Sequence, residues 1–307
     1  MFERLISCAF KATALVIFSL FSLTVSADSS YQFSLGAYGE DIDYEGSAEG
    51  EELGLYAAAY LEPIKLNDSM PYSLIPFYTR TSGLFLNSSK SRVTDLFAIR
   101  GGQILRKADA HHSSIGMRLA NAELPVWTAL EYTRIGSSHY DYADGTSSTV
   151  DRRYITSATV GWFINETLGV YGFYEDDNDV DSYGVGTHYL YALGDLGFVE
   201  VGLQYTKIDI EEIGLEVVNG TVRNANVSTR NESIRAVSLS YFPTVKAEIG
   251  LRYRKMDSDH GLYGYSVNAN ASYYILSNLQ LGMSYVEVHH DEFLEYKLLS
   301  GSASFKF

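Results

Sequence analysis

The chain has almost no cysteine. Cys8 is the only one, and it lies near the N-terminus, ahead of an apolar run. No disulfide can form within the chain, so stability must come from burial or from a closed hydrogen-bond network. Proline is scarce, at 5 residues in 307, and extended segments can run on without interruption. Positive charge is also in short supply. Against 38 Asp and Glu stand 23 Lys and Arg, for a net charge of −15. That balance argues against nucleic acid as a partner. After residue 27 no stretch approaches the roughly 18 consecutive apolar residues of a spanning helix. Helical periodicity is hard to find there at all.

The N-terminus differs from the rest. Arg4 and Lys11 precede the apolar run Ala12 to Leu23, and Val25-Ser26-Ala27 follows. This pattern reads as a secretory signal peptide over residues 1–27, with cleavage after Ala27. The run is too short to cross a hydrocarbon core of about 30 Å as a helix. Leu5-Ile6-Ser7-Cys8 imitates a lipobox, but its cysteine precedes the apolar run instead of following it. About 280 residues remain, 28–307, enough for one large domain.

That remainder is rich in tyrosine (25), glycine (26) and alternation. Its last stretch sets Leu299, Gly301, Ala303, Phe305 and Phe307 against Ser300, Ser302, Ser304 and Lys306. A period of two with one apolar and one polar face is a β-strand. The same pattern recurs along the chain. Strands are expected at 31–39, 52–62, 72–81, 114–119, 126–133, 154–163, 168–174 and 183–191. More follow at 197–206, 232–241, 245–254, 264–274 and 279–288, and the terminal strand makes fourteen. Residues 93–105 are left over. An even strand number, required when both termini share one side, assigns them to a strand extension or folded loop. Sixteen strands is the alternative.

Connections alternate in length. Asn121 to Pro125, Asn165-Glu166, Leu193 to Asp195, Pro243-Thr244 and Ser277-Asn278 are tight. Segments 137–150, 175–181, 209–230, 257–260 and 289–292 are longer. Short turns on one rim and long loops on the other suit a transmembrane barrel, whereas a soluble sandwich has no reason to keep that rhythm. The exception is Pro63 to Pro71, long but on the short-turn side. Asn219-Gly220 inside the longest loop is a hairpin signal and predicts a β-ribbon.

Charge placement decides which face is which. Lys246, Glu248, Arg252 and Arg254 share one face of 245–254. A Lys or Arg on the lipid face at mid-membrane costs about 2–4 kcal/mol, so that face is expected to line a wet lumen. Arg118, Glu131, Arg153 and Glu200 are expected there too. Such side chains either tune selectivity or only pair and hydrate the wall. Acidic clusters at 40–51 and 175–181 are expected in solvated loops. The run Asp177 to Asp181 is not an EF-hand, because Ser182 and His188 stand where Gly and Glu are needed. Adjacent histidines at 111–112 and 289–290 point to opposite faces of a strand and make no chelate. No nucleophile elbow and no phosphate loop is present, so neither an enzyme nor a cofactor is expected.

Together the leader, the two-faced strands, the Tyr-rich composition and the ending Ser302-Ala303-Ser304-Phe305-Lys306-Phe307 resemble Gram-negative outer-membrane β-barrel porins. The resemblance implies an all-β, antiparallel up-and-down transmembrane barrel in the bacterial outer membrane. It implies passive diffusion of small hydrophilic solutes or ions, for which the acidic chain suggests cation preference. A non-conducting structural or surface-binding barrel is the alternative, and a barrel hydrolase a remote one. The implied partners are outer-membrane lipid and lipopolysaccharide, and the barrel-assembly machinery, with Phe305 and Phe307 as the assembly signal. Homotrimers are common among such porins. Fourteen strands lie between barrels filled by side chains and those with open aqueous channels. Segments 93–105 and 209–230 are the candidates for filling the lumen.

Overall fold

The computed structural model describes residues 30–44, 49–67, 69–98, 104–136, 138–142, 147–150, 152–177, 180–218, 221–259, 263–290 and 295–307. The expected leader, with Cys8, lies outside the described residues. The first strands are β1 (Ser30–Tyr44), β2 (Glu49–Lys65), β3 (Gly83–Ala98), β4 (Ile104–Ala120) and β5 (Val126–Ile135). Two short ones follow, β6 (Ser138–Tyr142) and β7 (Ser147–Val150), then β8 (Arg153–Phe163), β9 (Leu168–Asp177) and β10 (Val180–Ala192). The rest are β11 (Phe198–Val218), β12 (Thr221–Thr244), β13 (Ala247–Ser258), β14 (Tyr263–Leu276), β15 (Leu279–His290) and β16 (Tyr296–Lys306).

These form one antiparallel sheet of 16 strands. The hairpin β6–β7 branches from the far end of β4, and the other fourteen close into a barrel. The seam is β1 against β16, paired from Ser34↔Lys306 to Tyr44↔Tyr296. Closure removes the edges that an open sheet would leave unpaired.

The pleat sorts side chains in and out. Val185, Ile249 and Leu203 face outward and are 61%, 58% and 54% exposed. So do Leu55, Leu86, Ile115, Leu130, Val160, Trp162, Leu239 and Met283, around the whole wall. A continuous exposed apolar band of this kind belongs in hydrocarbon, because water would be a poor solvent for it. Inward-facing neighbours are polar or small, such as Ser302 and Ser304 on β16. At one end, the turn end, connections are tight. The turn from β10 to β11 is a 3-10 turn, Gly194–Leu196, followed by Gly197 at φ 95°. A Cβ at Gly197 would collide with the Phe242 carbonyl, so glycine is required there.

At the other end, the mouth, several strands run on as ribbons. β11 and β12 stay paired out to Val218↔Thr221, beyond the reach of β10 and β13. The expected ribbon is therefore present, although Asn219-Gly220 lie outside the described residues. β3 and β4 extend in the same way to Ala98↔Ile104. Residues 93–98 and 104–105 are thus strand extensions.

Three expectations need correction. Residues 72–81 are not a strand; the third strand is β3. Tyr72, Leu74 and Tyr78 alternate with Ser73, Ile75 and Phe77, so both faces are largely apolar and neither suits a wet lumen wall. Pro76 also occupies the start of a helical turn, α1 (Ile75–Tyr78), where its missing N–H costs nothing. Second, 175–181 is not a long loop. β9 and β10 pair up to Val180↔Asp177, leaving a tight connection. Third, Lys246 lies in the turn Val245-Lys246 between β12 and β13, because the alternation of β13 begins only at Ala247.

Candidate functional site

The long connection from β2 to β3 folds into the barrel. Left at the turn end its tyrosines and leucines would face water, and they bury themselves across the lumen instead. Ile75 is 0% exposed, and Pro71 and Tyr72 are buried. On one wall Tyr72 and Ile75 join Tyr31 of β1, Ile64 of β2 and Tyr274 of β14. The Tyr72 and Tyr274 rings meet edge-on at 5.6 Å. On the other wall Phe77 and Tyr78 join Trp127 of β5, Phe163 of β8 and Leu190 of β10. Phe77 lies 5.1 Å from Phe163, 5.5 Å from Trp127 and 4.5 Å from His188, ring to ring. In the barrel's strand order these two groups stand across from each other. Residues 66–82 therefore span the lumen at the turn end as a plug.

Glycines make room for the second group. A Cβ at Gly161 would meet the Trp127 indole, and one at Gly169 would meet the His188 imidazole. Polar ties hold the plug as well. Arg118 Nη2 donates to the carbonyls of Pro76 at 2.7 Å and Thr81 at 2.9 Å. Arg118 Nε donates to Thr81 at 3.1 Å. The Tyr78 hydroxyl donates to Glu200 Oε1 at 2.9 Å. Burial pushes the Tyr78 phenol well above its ordinary pKa, and the Glu200 charge pushes it further. Tyr78 therefore remains a donor at any ordinary pH. Arg80, at φ 56°, donates to the Ala122 carbonyl at 3.1 Å and lies 4.9 Å over the Phe163 ring.

Above the plug, towards the mouth, the lumen holds a cavity of about 740 Å³. Phe77 and Arg118 line its floor, and Tyr38, Tyr56, Asn87, Trp127 and Thr159 its sides. Three carboxylates, Glu40, Glu52 and Glu131, line it as well, and among the described residues Arg118 is the only basic side chain to do so. Glu40 and Glu52 are direct cross-strand partners. Two like charges side by side repel, and a nearby cation relieves them. Arg118 is committed to the plug's backbone, which leaves the cavity acidic.

The remaining expected residues are scattered around the inner wall. Glu248 accepts from Ser73, Ser240 and Asn270 at 3.3–3.4 Å and so touches the plug. Arg252 donates to Gln204 Oε1 at 2.7 Å. Arg254 faces inward beside it. Arg153 pairs with Asp177 nearer the mouth. Lys306 is buried between the Tyr31 and Tyr274 rings, at 4.8 and 4.5 Å, with its ammonium on the Tyr274 hydroxyl. Phe307 extends the seam: its N–H donates to Phe33 O at 2.9 Å and its carbonyl accepts from Phe33 N at 2.8 Å. Its ring stacks on Phe33 at 5.9 Å. Glu40 was missed by the reading of 40–51 as loop, and Glu52, at the start of the expected strand 52–62, was not singled out, although the alternation of β1 and β2 carries both inward. Among the described residues no group of three His, Cys, Asp or Glu side chains could hold a metal ion.

The wall resembles solved structures. The Acinetobacter baumannii outer membrane protein Omp33 superposes with a TM-score of 0.57 at 14% identity, covering 91% of this chain and 99% of that one. This is the fold of an outer-membrane β-barrel. Looser likenesses are the β domain of the Bordetella autotransporter BrkA, at TM-score 0.48, 10% identity, and 91% and 100% coverage. A mutant of the monoaromatic hydrocarbon channel TodX superposes at 0.48, with 8% identity and 92% and 91% coverage. No protein-family model matches the chain, and no curated protein matches its sequence.

Proposed function

We propose that the protein is an outer-membrane channel for passive diffusion of small hydrophilic solutes or ions, favouring cations, with residues 66–82 as its obstruction. The observation that carries this is the acidic cavity above a plug. A barrel that served only as a wall would need no wet lumen. Glu40, Glu52 and Glu131 lower the energy of a cation entering from the mouth. The plug then limits the rate of passage, and anything that loosens its contacts raises flux. No bond is made or broken, and the solute gradient supplies the driving force. A non-conducting barrel is the second reading, favoured by the aromatic packing that joins the two walls.

Planar bilayers separate the two. The refolded protein should give steady ohmic channels whose reversal potential in a salt gradient has the sign of a cation-preferring pore. A silent barrel, or a chloride-preferring one, contradicts the proposal. Phe305 and Phe307, at the closing seam, are assigned to assembly. Phe307→Ala should lower the amount of assembled barrel about tenfold and leave the conductance of assembled barrels unchanged. Normal assembly with altered conductance would overturn that assignment.

A further inference from the structure

The outer wall carries a basic feature that a channel does not need. Reading across strands β8 to β14, Val160, Gly172, Val185, Tyr205, Arg235, Lys255 and Tyr265 are successive direct partners in one row. All face outward. At Gly172 the row has a gap, where a Cβ would meet only the Gly184 carbonyl at 3.7 Å. The gap belongs to a depression of about 730 Å³ in the outer wall, bordered by Trp162, Val170, Val185, Leu203 and Tyr205. Arg235 stands at its end.

Arg235 and Lys255 are directly opposed across β12 and β13. Like charges in that relation repel, and the one carboxylate beside them, Asp257, is on Lys255 and leaves Arg235 uncompensated. Three outward cations near the mouth have carboxylates: Lys207 with Asp209 at 3.3 Å, Lys255 itself with Asp257 at 2.9 Å, and Lys297 with Glu287 at 3.8 Å. Arg235, like the outward Lys90 and Arg134, has none within 4.0 Å among the described residues, but of these three only Arg235 has a second cation directly opposite it. The two cations lie towards the mouth ends of the membrane-facing parts of β12 and β13. Tyr205, Tyr253 and Tyr265 flank them at 45%, 41% and 43% exposure. Exposed tyrosines on an apolar wall mark the height of the headgroups, where a charge is tolerated. Val160, in contrast, lies near the turn end of β8. The row therefore runs obliquely from the hydrocarbon to the headgroup level.

We propose that this row docks one phosphorylated glycolipid of the outer leaflet, of the lipid A type. Its phosphate sits between Arg235 and Lys255, where the guanidinium offers paired donors to a phosphate. An acyl chain lies in the depression at Gly172. Charge complementarity points to this occupant: the chain as a whole is at −15, whereas these two cations, offset only in part by Asp257 on Lys255, leave a net positive spot at headgroup height. The inference rests on the barrel sitting in an outer membrane with its mouth outward.

Native mass spectrometry of the full detergent-purified barrel tests it. The probes are bisphosphorylated lipid A, its dephosphorylated form and inorganic phosphate. Wild type should retain the bisphosphorylated lipid about tenfold better than the dephosphorylated one. Arg235→Glu with Lys255→Glu should abolish that preference. Gly172→Leu, which has space for its side chain, should weaken retention of both lipids. Both variants should keep the wild-type gel shift on heating and the wild-type conductance. Equal retention of the two lipids, an unchanged preference in the double variant, or displacement by millimolar phosphate would overturn the site. Unchanged retention in Gly172→Leu would overturn the acyl half. A chain that never forms a heat-modifiable barrel would instead overturn the membrane-barrel reading itself.

Discussion

The two halves of the lumen are built on opposite rules. At the turn end, side chains from both walls and from the plug interdigitate: Tyr31, Tyr72, Ile75 and Tyr274 on one side, Phe77, Tyr78, Trp127 and Phe163 on the other. At the mouth end the same wall carries Glu40, Glu52 and Glu131 around open space. One continuous pleat produces both, because a lumen-facing position accepts whatever its contents are. Where the contents are the plug, the wall is aromatic and glycine. Where the contents are water, it is charged. If the proposed function holds, the difference teaches that flux control and ion preference reside in largely separate sets of residues, with Arg118 shared between them.

Mutations can break that separation or sharpen it. The largest effect should come from Phe77→Ala. Phe77 bridges to Trp127, Phe163 and His188, and losing a packed aromatic costs about 3 kcal/mol. Conductance should rise several-fold while ion preference stays, and single-channel recording checks both. Next is Arg118→Ala, which removes three hydrogen bonds to the plug backbone. A hydrogen bond from a charged group contributes about 1.5–3 kcal/mol net. Frequent flickering to a more open level is expected, and cation preference should increase slightly as the cavity loses its one base. The smallest effect on current should come from Glu40, Glu52 and Glu131 changed together to Gln. The reversal potential should move towards zero with thermal unfolding unchanged. If it stays put, the cavity carboxylates do not set preference.

Much of this was legible in the chain itself. The two-faced ending at Phe307, the even strand number and the short-turn rhythm led to a fourteen-strand barrel, and fourteen is observed. One member of the expected set was nonetheless wrong. Residues 72–81 look like a strand because they are apolar, and β3 does not because its outward face, Leu84, Leu86, Ser88 and Lys90, turns polar after two residues. Pro63 to Pro71 was the signal that could have found the plug: a long connection among tight ones has to go somewhere. Its path to the far wall depends on the cross-barrel contacts of Phe77 and Tyr78, which no local pattern encodes. The acidic stretches were misread for a similar reason. A carboxylate facing a wet lumen near the mouth has the same neighbours in sequence as one in a solvated loop. Lys246 shows the converse, an alternation that outruns its strand by two residues into a turn.

The central claim is that residues 66–82 obstruct an otherwise conducting acidic lumen. It is tested most directly by comparing wild type with a variant in which 66–82 is replaced by a two-residue turn, both refolded and recorded in the same planar bilayers. The account predicts steady channels in the variant, several-fold more conductive than wild type and still cation-preferring. A variant that forms a heat-modifiable barrel yet conducts no more than wild type would contradict it.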